Sequence, residues 1–450
     1  MRKIVWLAVA LSIVNVGFAD TSNVENAARA LARNAVFDNA SESAAAVAAL
    51  RARGQAGLKD FLDAFAVELK SREMEISVNA PRPISPEWQR ISAALDQVCK
   101  QRDCYASRLF WYTDFNEAKA AAKLTGKPIL SLRLLGKLDE ELSCANSRFF
   151  RLILYSNTEV SNLLRERFIL HWQSVRPVPK VTIDFGDGRK LERTLTGNSI
   201  HYILDSDGRT LDALPGLYGP QAFVRELKRA ERVAAVCSAA KNNADRELAL
   251  RQYHNSRLNE LSVAWAADIA TAQISPPPSR EPIRTDGQVA GSPRAEVASR
   301  AAITKALAER PALRGISSNP KSLDPAVEDA AWERISELHA DDARLSASSK
   351  LLIRAKNPAL YGGSEATARA SLDRAMTKLE RAVAVDTVRN EYVKHSKIHE
   401  WFARGEAPTD VAALNERVYR ELFLTPSSDP WLGLFPRDSY TGIENDGVSK

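Results

Sequence analysis

The stretch from Asp114 to Val236 constrains the fold most, because short apolar runs alternate there with helical patterns. Asp114 is placed to cap a helix over Phe115–Thr125, which Gly126 ends. Lys127-Pro128 then leads into Ile129–Leu135, a buried strand by its length and flanks. A helix over Asn146–Tyr155 follows, and Asn157 caps another over Thr158–Arg167. Phe168–Trp172 reads as a second strand. Val181–Phe185 and Leu191–Leu195 read as a hairpin about Asp187-Gly188. Ile200–Leu204 is a further strand, Asp205–Gly208 a turn, and Thr210–Leu214 a strand pairing back on it. Gln221–Val236 closes the unit as a helix. This order predicts a mixed α/β sheet that ends in an antiparallel hairpin.

The flanking sequence is helical. Residues 20–75 read as an amphipathic helical hairpin with its break at Gly54 and Gly57, residues 76–87 as a proline-rich linker, and Trp88–Lys100 as a helix. Beyond the α/β stretch, Ala240–Thr271 is one long helical pattern. Residues 275–295 carry too many Pro, Gly and Ser to pack and read as a linker. Helices are expected near 296–309, 325–339, 344–355, 364–403 and 408–422, followed by an apolar tail, Thr425–Leu434, docked on the body. The predicted organisation is therefore a helical region 20–104, an α/β domain 105–235, a helix 236–274, a linker 275–295 and a helical C-terminal domain 296–450, with no fixed-period repeat.

Arg2, Lys3, the apolar run Ile4–Val16 and the small residues of Gly17-Phe18-Ala19 read as an export signal over 1–19, which predicts a periplasmic or secreted protein. No later window has about 18 apolar residues in a row, so no transmembrane span is expected in the mature chain. The formal charge of +6 falls to +4 without Arg2 and Lys3, and basic residues are interleaved with acids. That pattern argues for a solvated mixed surface and against a nucleic-acid partner.

A chain of 450 residues can bury a core without relying on disulfides. Its four cysteines are Cys99, Cys104, Cys144 and Cys237, which allow three full pairings. On one continuous helix Cys99 and Cys104 would sit roughly 8–9 Å apart, too far to bridge. They pair only if the helix breaks near Gln101–Asp103.

From Trp111 to Ala230 the chain resembles the thioredoxin family, most closely its exported thiol-handling members. The likeness rests on the aromatic-Thr-Asp start at Tyr112-Thr113-Asp114, the Ala-rich helix, Gly126-Lys127-Pro128 before an apolar strand, Cys144 at the start of the next helix, and Tyr202–Gly208. It implies a thioredoxin-like α/β domain with thiol–disulfide chemistry at Cys144. The family's C-x-x-C is Cys144-x-x-Ser147 here, so the resolving thiol is missing. The position of the family's cis-proline falls at Ser199. Asp139, Glu140 and Glu141 in the loop before Cys144 are expected to raise its pKa.

The catalytic candidates are therefore Cys144 as nucleophile, Ser147 as a thiolate donor and His201 as a base, with Asn198 and Ser199 on the substrate side. A thiol of this kind would act by monothiol exchange with a protein thiol or disulfide partner. The competing expectations are a structural Cys144, a Cys144–Cys237 disulfide, and a hydrogen-bonded sheet histidine at 201. His171 beside Trp172 reads as core. On the second reading of function the chain is a non-catalytic thioredoxin-like binding or assembly module of the cell envelope.

His395 and His399 lie four apart on a predicted helix, with Glu391 one turn earlier and Glu400 adjacent. Glu391 and His399 are roughly 12 Å apart along the axis, so one ion cannot take all three. A solvated or interface stripe is the expectation, with no metal, no cofactor and no effect of a chelator. Asp184, Asp187, Asp205 and Asp207 read as turn residues. Trp332, Tyr392, Trp401, Tyr419 and Trp431 read as packing residues of the C-terminal domain.

Overall fold

The computed structural model describes residues 18–77, 84–283, 294–317, 320–324, 326, 328–356, 365–435 and 442–449. Nearly all of the expected export signal, the centre of the first linker and about half of the second lie outside the described residues.

Four helices, rather than a simple hairpin, open the chain: α1 (Phe18–Asn34), α2 (Ala40–Ala52), α3 (Gln55–Ala64) and α4 (Ala66–Ser77). Gly54 makes the break between α2 and α3, with φ +62°. Gly57 serves a different purpose, since a Cβ there would lie 1.9 Å from the Leu50 carbonyl oxygen, and only glycine lets α3 cross α2 so closely. α5 (Pro86–Cys99) completes a core of Leu50, Phe61, Leu95 and Val98. It stops at Cys99 because Lys100 turns left-handed, and α6 (Cys104–Ser107) starts after a second such residue, Asp103. The break falls where the pairing of Cys99 with Cys104 requires it, and the two form a disulfide across a Cα separation of 6.3 Å.

The α/β unit follows the expected order closely. α7 (Phe115–Thr125) is capped by Asp114, whose carboxylate accepts from the N–H groups of Asn116 and Glu117, and it ends at Gly126. β1 (Ile129–Leu135) pairs in parallel with β2 (Ile169–Arg176), in register Ile129 to Ile169. Between them lie α8 (Ala145–Phe149), a π-helical turn (Phe150–Leu154) and α9 (Thr158–Arg167), capped by Asn157. The single helix expected over Asn146–Tyr155 is thus interrupted by the wider turn. A separate ribbon of β3 (Lys180–Asp184) and β4 (Lys190–Thr194) comes next, with Ile183 and Phe185 about half exposed near its tip. β5 (Ser199–Leu204) runs antiparallel to β1, and β6 (Thr210–Pro215) antiparallel to β5, so the sheet order is β2-β1-β5-β6. Every residue of β1, β5 and β6 is buried, which accounts for their mainly apolar sequences. α10 (Pro220–Ser238) packs on β6 and α9.

The C-terminal helices are α11 (Asn243–Thr271), α12 (Ala295–Arg300), α13 (Ile303–Ile316), α14 (Asp329–Leu338), α15 (Ala347–Lys356), α16 (Glu365–Arg389), α17 (Ser396–Ala403) and α18 (Val411–Glu421). Two expected helices are each divided. A break at Ala301-Ala302 separates α12 from α13, and a π-helical turn, Asn390–His395, separates α16 from α17. One continuous core takes Leu132, Tyr202 and Leu214 from the sheet together with Val383, Ile398, Trp401 and Leu414 from these helices. The tail docks as expected, because the Arg176 guanidinium donates to the carbonyls of Thr425, Pro426 and Asp429. Trp332, Tyr392, Trp401 and Tyr419 are buried packing residues, whereas Trp431 is 46% exposed and corrects the expectation for that residue. No helix among the described residues is long and apolar enough to cross a membrane.

Candidate functional site

Cys144 caps the N-terminus of α8, immediately after the loop that leaves β1. Its Sγ accepts from the Ser147 N–H at 3.4 Å and faces the Asn198 carbonyl at 4.0 Å and Ser199 Oγ at 3.9 Å. The structure therefore brings Cys144, Ser147, Asn198 and Ser199 together. The Ser147 hydroxyl is turned to Ser143 Oγ and the Cys144 carbonyl. Gly197 makes the approach of the chain entering β5 feasible, since a Cβ there would lie 2.2 Å from that of Cys144.

The C-terminal helices roof this pocket. Glu309 of α13 accepts from the Thr196 N–H at 2.9 Å, with Lys305 Nζ 3.9 Å away and both side chains buried. The Tyr419 hydroxyl of α18 donates to the Asn198 carbonyl at 2.9 Å. Cys144 has 0% exposure. Burial pushes its thiol pKa up against the lowering bonds from Ser147 and Ser199, and the Glu309 charge adds to the rise. A thiol activated by a helix N-terminus is held the opposite way.

The acid facing Cys144 is thus Glu309, which sequence reasoning missed. Asp139, Glu140 and Glu141 were expected in that role but lie beside Lys100, Lys137, and Lys356 with Arg102 respectively. Burial raises the Glu309 carboxyl to about 7, although Lys305, the Thr196 and Gly197 N–H groups and Arg148 oppose it. Cys237 and Cys144 are both unpaired thiols, so the Cys144–Cys237 disulfide is not formed.

His201 meets the Tyr155 hydroxyl at 2.7 Å and packs its ring against Phe150 and Phe223. Burial lowers its pKa to about 3. It is a hydrogen-bonded sheet histidine, as the competing expectation had it. His171 is likewise a core residue, bonded to Ser131 Oγ at 2.8 Å. The carboxylates of Asp184, Asp187 and Asp205 accept backbone N–H bonds in their own turns, and Asp207 pairs with Lys123.

A second polar cluster forms where β6 meets α11 and α17. His395 and His399 are both fully buried, which corrects the expectation of a solvated or interface stripe. Asp212 of β6 accepts from His395 Nε2 at 2.9 Å and from the Tyr253 hydroxyl at 2.6 Å. His254 Nε2 lies 3.0 Å from the Leu211 carbonyl, and its Nδ1 lies 2.7 Å from His399 Nδ1.

These bonds define the tautomers. A carbonyl only accepts, so neutral His254 carries its proton on Nε2 and accepts at Nδ1 from His399 Nδ1–H. His395 donates from Nε2 to the carboxylate. The nitrogens left bare are His395 Nδ1 and His399 Nε2, and neither has a hydrogen-bond partner.

Burial lowers His254 to about 4, and burial with the neighbouring His395 puts His399 well below the usual histidine range. Burial would raise Asp212, but His395, His399 and His254 together hold it well below the usual carboxylate range. One donor atom from each of Asp212, His395 and His399 lies within 4.8 Å of the other two. Glu391 stands apart, facing Arg225 and Arg257.

The histidine pair was legible as an i, i+4 spacing. Asp212 was missed, although a lone acid inside the apolar strand Leu211-Asp212-Ala213-Leu214 was a signal for it. Compared with known protein families, curated proteins and solved structures, the chain has no match.

Proposed function

We propose that this chain is a thioredoxin-like module of an exported compartment that acts by binding or assembly, with Cys144 as a packing residue of its core. The observation that carries this reading is the burial of Cys144 beneath Glu309 and Tyr419, with its thiol pKa raised. A nucleophile must be reached and ionised, and both conditions are opposed here.

Support for the thioredoxin-like part is topological. A parallel β1–β2 pair is extended through β1 by antiparallel β5 and β6, and Cys144 starts the helix that leaves β1. Gly197-Asn198-Ser199, where the family carries its proline, lies against that cysteine. The Cys99–Cys104 disulfide is consistent with an oxidising compartment.

One observation favours the second reading, monothiol exchange after the roof opens: the Ser147 N–H already points at Sγ, at 3.4 Å. Alkylation with mass mapping on the native full chain separates the two readings across pH. The binding reading expects Cys144 to label only after denaturation. Fast labelling of native Cys144 below the ordinary thiol pKa of about 8.5 would overturn it in favour of exchange.

A further inference from the structure

We propose that Asp212, His395 and His399 bind one divalent transition-metal ion, zinc by the chemistry of the set, in the interior between β6 and α17. Asp212 on β6 is far in sequence from the neighbouring pair His395 and His399, yet each of the three offers a donor atom within 4.8 Å of the others. A tetrahedral ion with bonds of about 2.05 Å would bring those atoms to roughly 3.3 Å. The ion would take the place of the His395 Nε2–H bond to Asp212, with that proton passing to Nδ1.

The hydrogen bonds around the cluster supply the second observation. A chain of hydrogen bonds alone would explain why Asp212 meets His395 and why His254 meets His399. It does not explain two bare imidazole nitrogens in a wholly buried space. His395 Nδ1 and His399 Nε2 are acceptors with nothing to accept from, and native interiors seldom leave such atoms so.

The surroundings are those of a ligand set held in place. Tyr253 holds one Asp212 oxygen, and His254, itself tied to the Leu211 carbonyl, holds His399 by Nδ1. The π-helical turn ending at His395 is the kind of helix irregularity that recurs at functional positions. Two imidazoles and one carboxylate, with no thiolate and no ring of oxygens, suit zinc rather than magnesium or calcium. An ion here would tie the sheet edge to the C-terminal helices, and its role would be to hold the two together.

The test uses the full chain, stripped with a chelator, dialysed, and titrated with cobalt(II) chloride and then zinc chloride. The expected result is one ion per chain, with cobalt d–d bands from nitrogen and oxygen ligands and no thiolate charge-transfer band. X-ray absorption at the zinc edge should count two imidazoles and no sulfur, and zinc should raise the midpoint of thermal unfolding by about 5 °C or more. Asp212→Asn and His399→Ala should abolish the bands. Absence of stoichiometric binding, sulfur ligation, or bands that persist in both variants would overturn the proposal. Where a variant fails to fold by far-UV circular dichroism, the imidazole count on the unaltered chain decides, and zero imidazoles overturns it.

Discussion

The Cys144 pocket and the Asp212 cluster are both sealed between the sheet and the C-terminal helices, yet burial does different things to them. Around Cys144 the nearest polar atoms stand 3.4 to 4.0 Å from Sγ, so nothing strong opposes desolvation and the thiol is kept neutral. Around Asp212 three donors reach the carboxylate, the Tyr253 hydroxyl at 2.6 Å, the Ala213 N–H at 2.8 Å and His395 Nε2 at 2.9 Å, and it stays ionised at full burial. A buried group keeps its charge only where close donors replace the lost water. The pocket marked by the more familiar motif is therefore the chemically quieter of the two.

The largest effect that would break this contrast concerns the roof of the Cys144 pocket. Lys305→Met should cost about 3–5 kcal/mol at pH 8, because it leaves a buried carboxylate without its cation. The loss should shrink at pH 5. The Glu309 pKa is raised from the model-compound 4.5 to about 7, so the folded state binds more protons between those values. Its contribution is fully present below pH 4.5 and is lost as pH rises through 7, by about 3 kcal/mol at most. Urea unfolding of both proteins at pH 5 and pH 8 checks this, and equal losses at the two pH values would refute it.

Gly197→Ala comes next, at about 3 kcal/mol. The new methyl group would overlap Cys144, so β5 must move away from α8. Native-state alkylation should then begin to reach Cys144. A variant as stable and as protected as the original would show that the pocket is looser than the packing implies.

His399→Ala should cost about 2 kcal/mol without metal, by opening a cavity and stranding His254 Nδ1. With zinc present the gap between variant and original should widen, since only the original gains from the ion. A gap that ignores zinc would make the cluster an ordinary hydrogen-bonded core.

The smallest effect belongs to Cys144 itself. Cys144→Ala should cost about 1 kcal/mol, because it removes one sulfur atom with weak contacts. On the binding reading, the folded variant should behave as the original does in any interaction assay. Loss of function at unchanged stability would move the weight back to thiol exchange.

What the sequence determined by itself is local. Asp114 and Asn157 fold the next turn by accepting N–H groups two and three residues on, Gly126 ends α7, and the short, mainly apolar stretch Ile129–Leu135 with its flanks reads as a buried strand. These effects reach at most a few residues along the chain, so they can be read there. Near Gln101–Asp103 the sequence set only a condition, that two cysteines five apart can meet only across a broken helix, and the structure supplied the break.

Tertiary structure decided the rest. Two π-helical turns replaced smooth helix, and the surface stripe of His395 and His399 became interior. Asp212 met His395 across a sequence separation of 183 residues, and Glu309, rather than the nearby acidic loop, came to face Cys144. The physical reason is that these contacts depend on how α11, α13 and α17 seat on the sheet. That seating is set by the summed burial of one shared core, and no short stretch of residues carries it.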